Sequence, residues 1–212
     1  MVTKASPSQI DRLPDNIARA HNLVSVYQAL AGAKPGRRSV GVTDVLRSAV
    51  VLLHASLEDS LRSLARAYLP HAPPDVINSI PLKRSGGSSR AEKFSLGHLA
   101  EHRGKTVDEL IDESVEACLD RSNYNNSTEV AVLMTNLRLD PQPVQHFFGD
   151  LDRMMQRRHQ IVHRADCATT TGRGRHQART IQQQTVEGWI STVVNFQQAV
   201  LHQIEMNQNQ DA

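Results

Sequence analysis

Apolar residues recur at three- and four-residue steps along most of the chain, the period of helices that bury one face. The clearest run is Leu46, Val50, Leu53, Leu57, Leu61, Leu64 and Tyr68, which predicts a long helix capped by Thr43 or Asp44 and stopped at Pro70. A first helix is predicted from about Ser8 to Leu30, ending before the breakers Gly32, Pro35 and Gly36. Beyond Pro70 the pattern is less regular. Pro73, Pro74, Pro81 and the Ser85–Ser89 run break it, while Phe94–His102 and Val107–Leu119 read as short amphipathic helices.

After the polar loop Ser122–Asn126, a helix is predicted near Ser127–Leu137. Pro141 and Pro143 then open a long helix through Phe147, Leu151, Met155 and Val162. The glycine-punctuated segment Ala168–Gln177 reads as a flexible connection. A last helix carries Ile181, Val186, Trp189, Ile190, Val193, Phe196, Val200, Leu201 and Ile204, and residues 207–212 read as a frayed tail. No internal repeat and no strand-like alternation is evident. The expected fold is all-α, an up-and-down bundle of four to five long helices, with residues 70–126 as a helical insertion in a single domain spanning 1–206.

Composition agrees with that architecture. A length of 212 residues suits one domain, and the aromatic content of 4% with a single tryptophan favours aliphatic helix packing over a β-sandwich. The two cysteines, Cys118 and Cys167, match no zinc spacing and give no disulfide framework, which points to a reducing cytoplasm. The N-terminus carries no apolar signal region, and the longest strongly apolar stretch, Ala49–Leu53, is too short to span a bilayer, so no membrane association is expected.

Net charge changes the picture only locally. The whole chain is +2, yet Asp150–Arg179 holds seven arginines against three aspartates. At the centre of that cluster lies Arg157-Arg158-His159-Gln160-Ile161-Val162-His163-Arg164-Ala165-Asp166. The apolar stripe of its helix advances Leu151, Met155, Arg158, Val162, so Arg158 takes a position that asks for an aliphatic residue. A buried guanidinium is costly unless paired, so Arg158 should line a cleft or a subunit contact. His163 lies about 140° further around a regular helix. The two side chains do not share one face unless the helix ends or distorts. Arginine's long reach closes part of the gap, and a two-fold axis placing a second copy opposite would close it differently.

These residue types suit RNA cleavage through the substrate's own 2′-hydroxyl. That reaction needs a base, an acid and positive charge at the phosphorane, but no metal. Histidine titrates near neutrality and serves either proton-transfer role, while arginine offers a charged donor fork to phosphate. Other accounts remain open at this point. A basic helix end is also favoured by the helix dipole, and an Arg-x4-His pair occurs by chance. His159 and His163 have zinc-ligand spacing, but Gln160 stands where a zincin has glutamate and no third ligand is evident, so neither metal nor other cofactor is expected.

Arg158-His159-Gln160-Ile161-Val162-His163 resembles the Arg-x4–6-His signature of the HEPN superfamily, in which the residue after the arginine is polar, as His159 is. Arg157, Ile161-Val162, Arg164 and Asp166 look like the extended form found in the RiboL-PSP-HEPN type. Leu57-Glu58-Asp59-Ser60-Leu61 is similar to the acidic position of the second long helix, and Val186–Ile204 to the closing helix. The resemblance runs from about Thr43 to Ile204, with Pro70–Asn126 not matched by anything it names.

That resemblance implies a helical bundle, commonly dimeric, whose two motifs form one cleft. Many such proteins are metal-independent ribonucleases of toxin–antitoxin, phage-defence or CRISPR-associated systems, and some only bind. It implies Arg158 and His163 as catalytic residues, with His159 assisting. Glu58 is a weaker assisting candidate, whose spacing more readily suits a four-spaced salt bridge to Arg62. His54, one turn earlier, reads more simply as a half-buried histidine. Arg157 and Arg164 are candidates for holding phosphates, as are Arg173 and Arg175 in the Thr171–His176 loop; each is equally readable as solvated surface. The expected partners are RNA, a second copy of the chain, and an antitoxin or defence-system protein. The alternative function is a non-catalytic module binding RNA, nucleotide or a partner protein.

Overall fold

The structure is a computed structural model, and it describes residues 12–32, 39–83, 96–167 and 178–210. The described residues form helices α1 (Arg12–Ala31), α2 (Val40–Tyr68), α3 (Pro74–Ile77), α4 (Leu96–Ala100), α5 (Val107–Leu119), α6 (Ser127–Asn136), α7 (Gln145–Arg164) and α8 (Gln183–Gln210). No strand occurs among them, so the fold is all-α. One antiparallel bridge pairs Cys167 with Ala178.

α2 is the central element. It packs against α1, α7, α8 and α5, and its inward stripe of Leu46, Leu53, Leu57, Leu61 and Leu64 is almost wholly removed from solvent. With the turn that follows it, Val40–His71 is also the one described helix long and apolar enough to cross a membrane by those measures alone, with a mean hydropathy of 1.4 in its most apolar window. In the bundle, that apolarity covers the neighbouring helices.

The start of α2 differs from the expected cap. Ser39, in extended conformation, accepts the Val42 N–H on its Oγ at 3.3 Å. Thr43 instead donates its hydroxyl to the Val40 carbonyl at 2.9 Å, and Asp44 pairs with Arg47 at 3.1 Å. The helix therefore begins four or five residues earlier. At its other end Pro70 falls in the 3-10 turn Leu69–His71, where a missing N–H and ring clash end α-helical continuation.

Several described residues of the 70–126 stretch pack into the core. Val115 and Leu119 of α5 and Tyr124 of the following loop join the same buried cluster as α2. Arg66 of α2 and Glu116 of α5 add a two-pronged ion pair, Nη2 to Oε1 at 2.7 Å. α5 opens with a reciprocal cap: Glu109 N–H donates to Thr106 Oγ1, and Thr106 N–H to Glu109 Oε2. α4 occupies only Leu96–Ala100 of the predicted Phe94–His102, and Phe94 is outside the described residues.

α8 continues to Gln210, through most of the tail expected to fray. Two side-chain contacts tie it down: Asn207 Nδ2 donates to the Arg138 carbonyl at 3.3 Å, and Gln208 Nε2 to Tyr68 Oη at 3.0 Å.

Candidate functional site

α7 presents three different faces at its C-terminal half. Leu151, Met154 and Met155 are buried, and Arg158 follows them on the inward side, half-buried, with its Nε shielded from solvent and lacking a hydrogen-bond partner. Facing it from α2 is His54, only 1% exposed, whose Nδ1 is also buried without a partner. Burial and, after it, the positive charge of Arg158 push the His54 pKa below its ordinary 6.5; Glu58 and a hydrogen bond to the Tyr124 backbone oppose them. Neutral imidazole is thus the form that suits the neighbourhood of a guanidinium.

Glu58 binds on the far side of this group. Its Oε1 accepts from Arg62 Nη2 at 3.2 Å, and the same nitrogen donates to the Ser122 carbonyl at 2.7 Å. Its Oε2 lies 3.8 Å from His54 Nδ1. Glu58 therefore makes the four-spaced salt bridge to Arg62, and its only link toward Arg158 runs past His54.

The outward face carries His159 and His163, both exposed, with ring centroids 4.5 Å apart at an interplanar angle of 44°. Among the described residues no cluster of three or more His, Cys, Asp or Glu side chains could hold a metal ion. α7 stays α-helical through Arg164, so the helix does not distort to bring Arg158 and His163 together. Within one chain the arginine points inward and the histidine pair outward. His163 and Arg164 occupy the last turn, where the exposed carbonyl ends of the helix favour positive charge. Arg164 and His159 line a cavity of about 310 Å³ with Asn125, Met155, Gln156 and Gln160.

A third direction belongs to Arg157, and it is already occupied. Its Nη2 donates to Asp166 Oδ2 at 2.7 Å and to the carbonyls of Arg179 and Thr180 at 3.1 and 3.0 Å. Burial lowers its pKa and the Asp166 carboxylate opposes that. Arg47 of α2 donates its Nε to the same Oδ2 at 2.7 Å and its Nη2 to the Arg179 carbonyl at 2.6 Å. Asp166 is fully buried and sits in a left-handed conformation, φ 55°, directly after Ala165 at φ 47°. Its N–H returns to the Gln160 carbonyl at 3.0 Å, and its own carbonyl accepts the Arg179 N–H at 2.8 Å. The end of α7 is thus stapled to the start of α2 and to residues 178–180. Arg173 and Arg175 lie outside the described residues.

Arg47 and His54 have no place in the motif itself. Their signal in the sequence is positional: both fall on the inward side of α2, beside Leu46, Val50 and Leu53, where the period asks for apolar residues.

An all-α bundle with an Arg-x4-His run near the end of its penultimate helix defines a HEPN-type domain. The chain belongs to the RiboL-PSP-HEPN family, whose family model matches residues 15–205. Comparison with curated proteins and with solved structures found no match.

Proposed function

We propose that the protein is a metal-independent endoribonuclease acting as a homodimer in the cytoplasm, in a toxin–antitoxin or phage-defence setting with a partner protein that controls it. One observation carries this reading: Arg158, with an unsatisfied donor on the inward side of α7, stands directly before an exposed pair of imidazoles, His159 and His163, on the outward face. A polar group left unpaired in a shielded position costs stability, and a site for an anion is a physical reason to keep one. Membership of a HEPN-type family supports the same reading.

In the proposed reaction a neutral His163 takes the 2′-hydroxyl proton as that oxygen attacks phosphorus. The bond to the 5′-oxygen breaks, and the leaving oxygen takes a proton from the imidazolium of the second subunit's motif. The products are a 2′,3′-cyclic phosphate and a free 5′-hydroxyl. Arg158 stabilises the charge that builds on the non-bridging oxygens, and His159 orients the neighbouring imidazole. The reaction is assigned to a dimer because one chain holds Arg158 and His163 on different faces of a regular helix. Val162, 48% exposed between Ile161 and His163, gives the motif an apolar spot that a second copy would cover.

The same separation of Arg158 from His163 favours one other reading, a module that binds RNA, nucleotide or a partner protein without turnover. Cleavage assays decide between them. His163→Ala and Arg158→Ala should each abolish RNA cleavage while leaving the far-ultraviolet dichroism unchanged, and wild-type cleavage should persist in EDTA and leave cyclic-phosphate ends. Full activity in His163→Ala would sink the enzymatic reading.

A further inference from the structure

A second cavity, of about 360 Å³, lies on the other side of α7 from the one beside His159. Gln156 and Gln160 line both, forming the ridge between them. On the far side of that ridge the lining includes Arg153, Arg157, Arg179 and Trp189 of α8, and no carboxylate is among the described lining residues. Its volume is at the small end of ligand-sized pockets, room for one nucleotide unit and not for several.

The charges in this cavity are differently committed. Arg157 is held by Asp166. Arg179 has a neutral partner, the Gln160 amide oxygen, and among the described residues no carboxylate forms an ion pair with it. Arg153 pairs with Asp150, but its side chain is 67% exposed, and an exposed pair of this kind contributes little and is easily exchanged. Two arginines are thus available to a phosphate, the Gln156 amide and the Gln160 amide nitrogen to a base edge, and an indole to the apolar part of a nucleoside.

We propose that this cavity binds one nucleotide unit of a single-stranded RNA chain, adjacent to the phosphate cut at the Arg158/His163 site. The proposal rests on the ribonuclease reading above and adds a subsite to it. A strand leaving the cavity crosses the Gln156–Gln160 ridge and meets His159 and Arg164 directly.

Trp189 is the sole tryptophan of the chain, so the tryptophan emission comes from a residue that lines this cavity. The experiment titrates the full-length wild-type protein with a short 2′-O-methyl oligoribonucleotide, which lacks the attacking hydroxyl. A saturable change in Trp189 emission is expected. The double variant Arg153→Ala/Arg179→Ala should weaken it on the order of tenfold and raise KM for cleavage more than it lowers kcat. Thr185→Tyr, which fills the cavity from an exposed helical position, should act in the same direction. Absence of binding overturns the proposal, as does binding that leaves Trp189 unchanged. Equal affinity for a mononucleotide and the oligonucleotide also overturns it, because the cavity would then be a separate small-molecule site. Cleavage surviving in His163→Ala overturns the ribonuclease reading instead, a result independent of the Trp189 titration.

Discussion

Arg47, near the start of α2, donates its Nε to Oδ2 of Asp166, just past the end of α7, at 2.7 Å across 119 positions of sequence. Arg157 reaches the same oxygen, so one fully buried carboxylate holds two guanidinium groups and fixes the C-terminal turn that carries His163 and Arg164. The left-handed backbone at Ala165 and Asp166 is what turns the chain so that the carboxylate can point back into the bundle. Non-glycine residues are strained there, and the two ion pairs offset that strain.

Asp166→Ala leaves both arginines buried without their anion. Removing one partner of a buried ion pair costs about 3–5 kcal/mol, well above the effect of an exposed substitution. The urea midpoint of the variant should fall accordingly. A loss under about 1 kcal/mol would mean that the arginines find water or other acceptors once the carboxylate is gone.

His54 makes stability depend on pH in a defined direction. Its folded pKa is lowered from 6.5, so as pH falls the unfolded chain takes up this proton first and the folded state loses stability relative to it. The contribution of neutral His54 is complete above 6.5 and declines as pH drops from there through the folded pKa. In His54→Gln, which cannot protonate, urea midpoints measured between about pH 5 and 8 should decline less on the acid side than those of the wild type. Identical acid limbs in the two proteins would refute the assignment. Protonated His54 would also set a second cation against Arg158, so cleavage should fall over the same range, and less so in the variant.

Much of this was legible in the period of apolar residues, and the reasons for the exceptions are physical. The stripe Leu151, Met155, Arg158 marks an inward-facing arginine, and Arg158 is half-buried there. Arg47 and His54 break the α2 stripe in the same way, but periodicity says only that a side chain faces inward, not what it meets. The Arg47–Asp166 pair depends on how α2 and α7 are juxtaposed, which no local pattern contains. Ser39 is hard to read as a cap because Val42 stands where a capping box has Glu or Gln, so nothing reciprocates the serine. The Asn- and Gln-rich end of α8 has no apolar period at all, and its order comes from side chains reaching Arg138 and Tyr68.

Glu58 separates a structural role from a catalytic one. Its salt bridge to Arg62 is a partly exposed helical pair, worth roughly 0.2–0.5 kcal/mol. If that bridge is its whole contribution, Glu58→Gln should shift the urea midpoint slightly and leave the cleavage rate within about twofold of wild type, a free-energy change comparable to RT. A drop in kcat beyond about tenfold would place Glu58 in the proton or charge network of the site, acting through His54 on Arg158.

The regular course of α7 through Arg164 makes a strong demand on the mechanism. Because Arg158 and His163 are about 140° apart on one helix, the proposed site would draw its arginine and its histidine from two copies of the motif. Arg158→Ala and His163→Ala should each be inactive alone. Mixed after dissociation and reassociation, the two variants form heterodimers in which one chain keeps the arginine and the other the histidine. Those heterodimers keep one His163 of the two the proposed reaction uses, so they should recover partial cleavage, above either single variant and well below the wild type. Sedimentation should show a dimer in every sample. Recovery tests shared catalysis in a way that neither single variant can, because each protomer lacks one required group. If the mixture stays inactive while heterodimers are demonstrably present, either both imidazoles of the dimer are needed for acid and base, or the site is not shared. A tandem fusion in which only one protomer carries His163→Ala then decides. Residual cleavage in that fusion at the level of the mixture would assign two histidines to one reaction, whereas half the wild-type rate would mean two independent sites and end the composite reading.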